Sequence, residues 1–307
     1  MKTSIIIPTR NRPEWISRCI NHLLKQIPSV FEILIIDASN NTSTESIITG
    51  KYPFARYFPF RNGLNKRPEA KNIGMLNAQG DILAFLDDDS LVQDGWLKSC
   101  VDTFSSEEIG MVGGRVIDIN DPNLAQINDS GLIGRISFTG IRINNFGKIT
   151  EKVTPVDHLR GGNMAVRKNL LKLIGGYDTY FTGTNVFEET DVCTRIKKLG
   201  YKILYNPDML IEHHFAKRDD IERKLSNKKT IFYICRNGMY YMLSNFSPMR
   251  SLAHFFLANT HIKCFLNTWS FENFYLIFFH LNGKFFGLLA FCKSLIKKHR
   301  RGVYINA

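Results

Sequence analysis

The sequence lacks a hydrophobic run long enough to cross a bilayer, and it lacks paired cysteines. The most apolar stretches, around Leu252–Leu266 and Phe274–Phe291, are broken by histidine, asparagine and lysine, whereas a spanning helix needs ~20 apolar residues. The first apolar segment stops at Pro8 without a small-residue cleavage site, unlike a secretory signal. The six cysteines are far apart and form no C-x-x-C pair, which argues against a disulfide scaffold or a zinc site. We therefore expect a cytoplasmic protein with reduced thiols.

Two glycine-rich nucleotide-binding motifs are also missing. The sequence contains no G-x-x-x-x-G-K-[ST], and no G-x-G-x-x-G follows its first apolar run. These absences argue against a P-loop NTPase and a dinucleotide dehydrogenase. If the protein binds a phosphate-bearing ligand, a binding group other than a glycine-rich loop must therefore hold the phosphate.

The aspartate triplet Asp87–Asp89 offers that partner. Mg²⁺ or Mn²⁺ can bind carboxylate and phosphate oxygens together, so the triplet is a candidate metal site. Such a triplet also occurs in solvated turns and helix caps. Its position directly after the apolar run ILAFL favours the metal site.

Acidic residues are scarce at the end of the chain. The 307 residues carry a formal net charge of +12, and residues 216–307 hold fifteen lysines and arginines against four acidic residues. A neutral domain over 1–215 is therefore followed by a basic, aromatic-rich and mainly helical region. This region could dock on an anionic membrane surface, or it could be a helical subdomain with its own core and solvated charges. We find no nucleic-acid recognition motif and expect no nucleic-acid partner.

Strand and helix patterns alternate over the first 90 residues. The pattern predicts strands over 3–7, 31–36, 55–58 and 81–86, a helix that begins at Pro13, a short helix that ends at Gly50, and a helix over 67–79. This alternation predicts an α/β fold with a parallel sheet covered by helices on both faces. Ligands of such sheets bind beyond the carboxyl ends of the strands. The polar residues at those ends are Thr9–Arg12, Asp37 and Asp87–Asp89.

Several ordered motifs resemble a known family. The stretches IIIPTRNRPEWISRCINHLLKQ, EILIIDASNN and RPEAKNIGMLNAQGDILAFLDDDSLVQDGWL resemble the nucleotide-binding half of a family-2 glycosyltransferase. The stretches RGGNMAVRKNLLKLIGGYDTYF and FEETDVCTRIKKLGYKILYNPDMLIEHH resemble its acceptor half. The resemblance implies a GT-A fold, a Rossmann-like and mostly parallel sheet, with halves at about 1–117 and 118–215. It does not cover the basic region 216–307.

The resemblance also implies a nucleotide-sugar site and a metal site. The implied donor-binding residues are Pro8, Thr9, Arg10, Arg12, Asp37, Lys71, Asn72, Asp87 and Asp88. Arg10 and Arg12 could instead be solvated surface residues. Lys71 stands where the family more often has arginine. The bidentate hydrogen bonding of a guanidinium is therefore replaced by the single positive charge of an ammonium group. Asp89 and His213 are the implied metal ligands, with His214 as the competitor of His213.

The acceptor side has a glycine-rich loop and an acidic cluster. Gly161, Gly162 and Asn163 resemble the family's acceptor loop, although an ordinary turn would also use two glycines. Glu188 is assigned to the acceptor, and Glu189 takes the place of the family's catalytic base, where the family often has aspartate. Asp191 is the alternate base. Acidic residues in a first helical turn could also serve only as a cap.

The resemblance implies inverting transfer of a sugar from a nucleotide-diphosphate donor to an acceptor hydroxyl, with Mg²⁺ or Mn²⁺ as cofactor. UDP is our first choice of nucleotide. The expected acceptor is a glycan or lipid-linked intermediate of a bacterial cell-surface polysaccharide, and the expected location is the cytoplasm or the inner face of the plasma membrane. Two rivals stay open. One is a sugar-phosphate nucleotidyltransferase, although the first loop PTRNRP lacks the glycines usual there. The other is a non-catalytic module that binds nucleotide-sugar or membrane as a scaffold.

Overall fold

The computed structural model describes residues 1–26, 31–60, 66–119, 131–214, 227–258 and 271–296. Strands and helices alternate through the first part of the chain, and each predicted element is present with bounds that differ by only a few residues. The elements are β1 Thr3–Thr9, α1 Pro13–Leu24, β2 Glu32–Asp37, α2 Ser43–Lys51, β3 Arg56–Pro59, α3 Arg67–Asn77 and β4 Ile82–Leu86.

The second part of the chain is more irregular and ends in helices. Its elements are β5 Ser90–Val92, α4 Trp96–Thr103, β6 Ile109–Asp118, β7 Arg135–Ile136, β8 Arg142–Ile143, β9 Thr154–Pro155, β10 Asn163–Arg167, α5 Lys168–Leu173, α6 Glu188–Lys198 and β11 Lys202–His213. Three helices follow, α7 Asn227–Asn245, α8 Pro248–Leu257 and α9 Phe271–Ile296. The prediction of a helical C-terminal region is confirmed for the residues described.

The main sheet has the strand order β3-β2-β1-β4-β10-β6-β11-β5, and β9 pairs with β11. Strands β1 to β4 pair in parallel, whereas β10 runs antiparallel to β4 and β6. The predicted α/β class with a mostly parallel sheet is therefore confirmed. Strand β6 ends at Asp118, next to the boundary predicted near 117, and β10 and β11 of the second half belong to the same sheet as β1 to β4.

Burial of both sheet faces follows from the sequence pattern. Every residue of β4 is buried, as expected for a strand covered by helices on both sides. Helix α1 begins with Pro13, which is preorganised for the first helical turn, and it buries Ile16, Cys19 and Ile20. Helix α3 lies so close to β1 that a Cβ at Gly74 would stand 2.4 Å from Ile6 Cγ2. The close packing of α1 and α3 on the sheet therefore fixes the positions of the carboxyl ends of the strands.

The C-terminal helices share a second apolar cluster with the segment before α6. Tyr240 and Tyr241 of α7 pack with Phe181 and Phe187, and Ala290 of α9 joins them. Phe187 and Tyr241 are stacked, with ring centroids 5.2 Å apart. Among the residues described, no helix combines the length and apolar character needed to cross a membrane.

Candidate functional site

A cleft of about 330 Å³ lies beyond the carboxyl end of β4 and at the N-terminus of α6. Its volume is at the small end of the range for small-molecule sites. The cleft is lined by Arg12, Arg67, Lys71, Asp87, Asp89, Arg142, Arg160, Gly161, Gly162, Val186, Glu188, Glu189 and His213. Residues from the loop after β4, from β11, from α3 and from α6 therefore meet in one place, as expected for an open α/β sheet.

Three side chains in the cleft form a candidate metal centre. Asp87, Asp89 and His213 each offer one ligand atom, and these atoms all lie within 4.8 Å of one another. His213 Nε2 is 3.3 Å from Asp89 Oδ1. Two carboxylates and an imidazole are a donor set that fits a divalent cation, with room for phosphate oxygens in the remaining positions.

A carboxylate behind His213 fixes the orientation of its ring. His213 Nδ1 is 2.9 Å from Asp118 Oδ1, and Arg160 holds the same carboxylate through two contacts of 2.7 Å. Burial alone would lower the pKa of His213, but hydrogen bonds with Asp118 and Asp89 outweigh it and raise the pKa to about 9. The pair has the form of a histidine ligand backed by a carboxylate.

His214, the competing residue, faces elsewhere. Its Nε2 lies 3.3 Å from Glu212 Oε2, and its ring lies 5.5 Å from the ring of Trp15. Only His213 of the two belongs to the aspartate cluster found among the described residues. The structure therefore favours His213, the first choice from the sequence.

Asp88 lies behind the cleft. Its side chain accepts hydrogen bonds from Arg12 Nη1 at 2.6 Å and from Thr9 Oγ1 at 2.7 Å. Burial raises the pKa of Asp88 to about 6. The positive charge of Arg12 opposes this rise, and the negative charge of Asp89 adds to it. Arg12 also reaches Asp89 Oδ2 at 3.0 Å. Asp88 and Thr9 therefore anchor the first loop to the triplet, and their predicted contact with the donor stays a prediction.

Four other residues predicted to bind the donor do not line the cleft, namely Pro8, Arg10, Asp37 and Asn72. Asp37 is buried at the end of β2, where Tyr57 Oη donates to it at 2.7 Å. Pro8 and Arg10 are partly exposed, but neither is among the residues that line the cleft. Asn72 bonds both backbone groups of Tyr177, at 2.9 and 2.8 Å, and so joins α3 to the acceptor side.

Lys71 forms a buried ion pair inside the cleft wall. Its Nζ is 3.0 Å from Glu188 Oε1, and both side chains are 2% exposed. Burial raises the pKa of Glu188, although Lys71 and Arg67 oppose that shift. Among the described residues, Glu188 Oε2 has no hydrogen-bond partner. A buried oxygen without a partner is costly, and a ligand hydroxyl in the cleft could satisfy it.

Glu189 is the more accessible of the two glutamates. Its side chain is 17% exposed, and its Oε1 lies 3.3 Å from Arg142 Nη1. Arg142 also contacts Thr190 Oγ1 at 3.2 Å, and its guanidinium lies 4.1 Å from the ring centroid of Phe187. Burial lowers the pKa of Arg142, an effect that the charge of Glu189 opposes. Arg142 therefore orients the carboxylate that the sequence predicted as the base.

Asp191 and Asn163 are parts of the framework. Asp191 is fully buried and accepts hydrogen bonds from Arg195 Nε and Asn245 Nδ2, each at 2.7 Å. Asn163 accepts a hydrogen bond from Trp96 Nε1 at 2.8 Å and is itself fully buried. Neither residue lines the cleft, and this placement favours Glu189 over Asp191 as the base.

The two glycines of the predicted acceptor loop line the cleft. A Cβ at Gly162 would stand 2.5 Å from Asp87 Oδ2, whereas the nearest atoms to one at Gly161 would be Lys71 Nζ at 3.3 Å and Glu189 carbons at 3.6 Å. Gly162 therefore makes room for a carboxylate of the candidate metal centre. That the two glycines admit an acceptor sugar stays a prediction.

Sequence reasoning gave no role to Arg67, Arg142 and Asp118, and it named Arg160 only as part of the glycine-rich loop. Arg67 and Arg160 each begin one of the stretches that resemble the family. Arg142 and Asp118 belong to none of those stretches. Their roles depend on contacts between segments far apart in the chain.

Comparison with known proteins identifies the family. The model of glycosyl transferase family 2 matches residues 4–175. An uncharacterized glycosyltransferase of Nostoc sp. is 24% identical over 76% of this chain and 83% of its own length. A Methanococcus voltae protein named dolichyl N-acetyl-α-D-glucosaminyl phosphate 3-β-D-2,3-diacetamido-2,3-dideoxy-β-D-glucuronosyltransferase is 25% identical over 77% of this chain and 73% of its own length.

A solved structure supports the fold. The mannosyltransferase PcManGT from Pyrobaculum calidifontis, solved in complex with GDP-Man and Mn²⁺, aligns with a TM-score of 0.59 at 15% identity. The alignment covers 97% of this chain and 88% of PcManGT. At that identity the likeness shows the GT-A fold alone.

Proposed function

The chain belongs to glycosyl transferase family 2, and from that premise we propose that it transfers a sugar from a nucleotide-diphosphate donor to an acceptor hydroxyl with inversion at the anomeric carbon. One observation carries the proposal. The cleft brings an accessible carboxylate, Glu189, together with the Asp87, Asp89 and His213 cluster. These are the two components that a single displacement needs, a base for the incoming hydroxyl and a centre for the leaving diphosphate.

The electrostatics of the cleft support an anionic donor. Five lysines and arginines line it beside four carboxylates; the basic residues are Arg12, Arg67, Lys71, Arg142 and Arg160. A Mg²⁺ or Mn²⁺ ion held by Asp87, Asp89 and His213 would neutralise the diphosphate as it leaves. Arg12 and Asp118 would hold two of those ligands in place through Asp89 and His213. UDP remains our first choice of nucleotide and GDP the second.

Glu189 acts as the base in this proposal. Its carboxylate takes the proton of the acceptor hydroxyl while the hydroxyl oxygen forms a bond to the anomeric carbon and the bond to diphosphate breaks. Its neighbours are less suitable, because Glu188 is engaged with Lys71 and Asp191 is fully buried on Arg195. Arg142 keeps the Glu189 carboxylate directed into the cleft.

We also propose a lipid-linked glycan as the acceptor, in the assembly of a bacterial cell-surface polysaccharide at the inner face of the plasma membrane. The name of the Methanococcus relative supports this choice, because it specifies a lipid phosphate sugar as the acceptor of that protein. The basic composition of residues 216–307 also supports it.

The test of the base is Glu189→Gln, which keeps the shape of the side chain and removes its ability to accept a proton. We expect turnover to fall by roughly 10²-fold or more while donor affinity is unchanged. Glu107→Gln is the matched control, because Glu107 is 93% exposed and does not line the cleft. If Glu189→Gln stays active while Asp191→Asn is inactive, the base has been assigned to the wrong carboxylate.

A further inference from the structure

Helices α8 and α9 each expose several large apolar side chains, and Lys284 of α9 joins the two helices through backbone carbonyls of α8. On α8, Phe256 is 61% and Leu257 69% exposed, and on α9, Phe278 is 57%, Leu281 47% and Phe285 52% exposed. We call the outward faces of α8 and α9 the apolar platform. Single exposed apolar residues are common on proteins, but clusters of them mark an interaction surface.

The inward face of α9 is small and polar. His280, Lys284 and Ser294 are buried there, and Gly283 and Gly287 lie against α7. A Cβ on either glycine would come within 2.5 Å of an α7 carbonyl oxygen, that of Phe232 or that of Arg236. The two helix backbones are therefore in direct contact.

Lys284 is a charged residue on the inward face of α9. Its ammonium group is directed inward and donates to the backbone carbonyls of Phe255 at 2.6 Å and His254 at 3.2 Å. Burial lowers the pKa of Lys284 to about 8. A helix on a water-facing surface has the opposite arrangement, with apolar residues inside and charges outside. Small residues at the helix contact and large apolar residues outside are typical of helices packed in lipid.

The part of the sequence that contains α7, α8 and α9 is strongly basic. Residues 223–307 contain thirteen lysines and arginines and a single acidic residue, Glu272. Lys293 is exposed near the end of α9, and the basic run 297–301 follows directly in the sequence. An exposed apolar face in a basic region of the sequence, with the exposed Lys293 on α9, is complementary to an anionic lipid surface.

We propose that the apolar platform docks on an anionic bilayer, with Phe and Leu side chains in the acyl boundary and lysines and arginines at the headgroups. The platform lies in the interface and does not span, because no described helix is apolar enough over its length to cross. A second copy of the chain fits less well, because two such surfaces would bring their positive charges together. The proposal names how the enzyme would reach a lipid-linked acceptor, but lipid binding itself does not depend on sugar transfer.

The test is flotation of the full-length protein with vesicles of phosphatidylcholine containing ~30% phosphatidylglycerol, compared with pure phosphatidylcholine. We expect flotation with the anionic vesicles, partial release at high salt, and a loss of partitioning of roughly 10-fold or more for Leu281→Ser/Phe285→Ser. The matched control is Leu173→Ser/Phe54→Ser, which removes a leucine 70% exposed and a phenylalanine 53% exposed outside the platform.

A second variant keeps the test informative if the double variant does not fold. Lys293→Glu changes an exposed charge on α9 and should lower partitioning into anionic vesicles by roughly fivefold or more. Wild-type protein that does not float, equal flotation with neutral vesicles, or equal losses in the platform and control variants would overturn the proposal. A dimer in light scattering that the platform variant dissociates would instead assign the face to a second copy of the chain. Nucleotide-sugar turnover, measured without vesicles, tests the proposed function separately.

Discussion

The closest packing in the candidate metal centre occurs at Gly162, and it gives a quantitative prediction for Gly162→Ala. The new Cβ would stand 2.5 Å from Asp87 Oδ2 and 2.9 Å from Asp87 Cγ. Ordinary carbon–oxygen contact begins at about 3.4 Å, so the carboxylate must retreat by about 0.9 Å. Metal–ligand distances tolerate only about 0.2 Å. We therefore expect Mn²⁺ affinity to fall by roughly 10- to 100-fold.

The assay is calorimetric titration of the protein with Mn²⁺, together with the Mn²⁺ dependence of turnover. The adjacent variant Gly161→Ala is the control, because the nearest atoms to its Cβ would be Lys71 Nζ at 3.3 Å and two Glu189 carbons at 3.6 Å, and none of these belongs to a candidate metal ligand. We expect it to bind Mn²⁺ within about threefold of the wild type. Thermal unfolding of both variants should stay close to that of the wild type, because the Asp87 carboxylate can turn toward the open cleft. Wild-type Mn²⁺ affinity in Gly162→Ala, or an equal loss in Gly161→Ala, would refute the placement of Asp87 in the metal centre.

Three other changes have expected outcomes. Asp89→Asn should abolish transfer without unfolding the protein, and EDTA should do the same to the wild type; full activity in EDTA would contradict the metal dependence. Arg142→Ala should lower kcat by about 10-fold with the donor KM unchanged, because Arg142 orients Glu189, whereas a rise in KM alone would make it a substrate ligand. Burial and the charge of Arg142 lower the pKa of His158 to about 3, so the unfolded state binds more protons below about pH 6.5 and stability falls on acidification. Between pH 7.5 and 5, wild type should lose about 2 kcal/mol more unfolding free energy in urea than His158→Phe; equal losses would mean that His158 is not held neutral.

The parallel half of the sheet could be predicted because its signals are local. Apolar runs end at polar loops, and Pro13 marks the start of α1 within the same few residues. The candidate metal centre at the aspartate triplet was predicted by the same reasoning, because parallel strands place their carboxyl ends at one edge. His213 comes to this edge on the last strand of the sheet, and only the family resemblance indicated it.

The inner parts of the site could not be predicted, because they depend on which way each side chain turns. Sequence reasoning put Glu189 first because of the family resemblance and kept Asp191 as the alternate base. The structure favours Glu189 through Arg142 and Asn245, which come from segments 47 and 54 residues away in the chain. Composition likewise indicated a basic, apolar C-terminal region, but the inverted polarity of α9 is visible only once α7 and α9 are packed together.

The central claim is that this cleft turns over a nucleotide-diphosphate sugar with the help of a divalent cation. The most direct measurement is a mass-spectrometric screen of UDP-, GDP- and dTDP-sugars with Mn²⁺ or Mg²⁺, with and without EDTA, for the wild type and Asp89→Asn. The account predicts release of nucleoside diphosphate from at least one donor by the wild type with metal alone. Nucleotide binding without turnover of any donor would contradict it and would favour a non-catalytic binding module, and formation of a nucleotide sugar from sugar phosphate and nucleoside triphosphate would favour a nucleotidyltransferase.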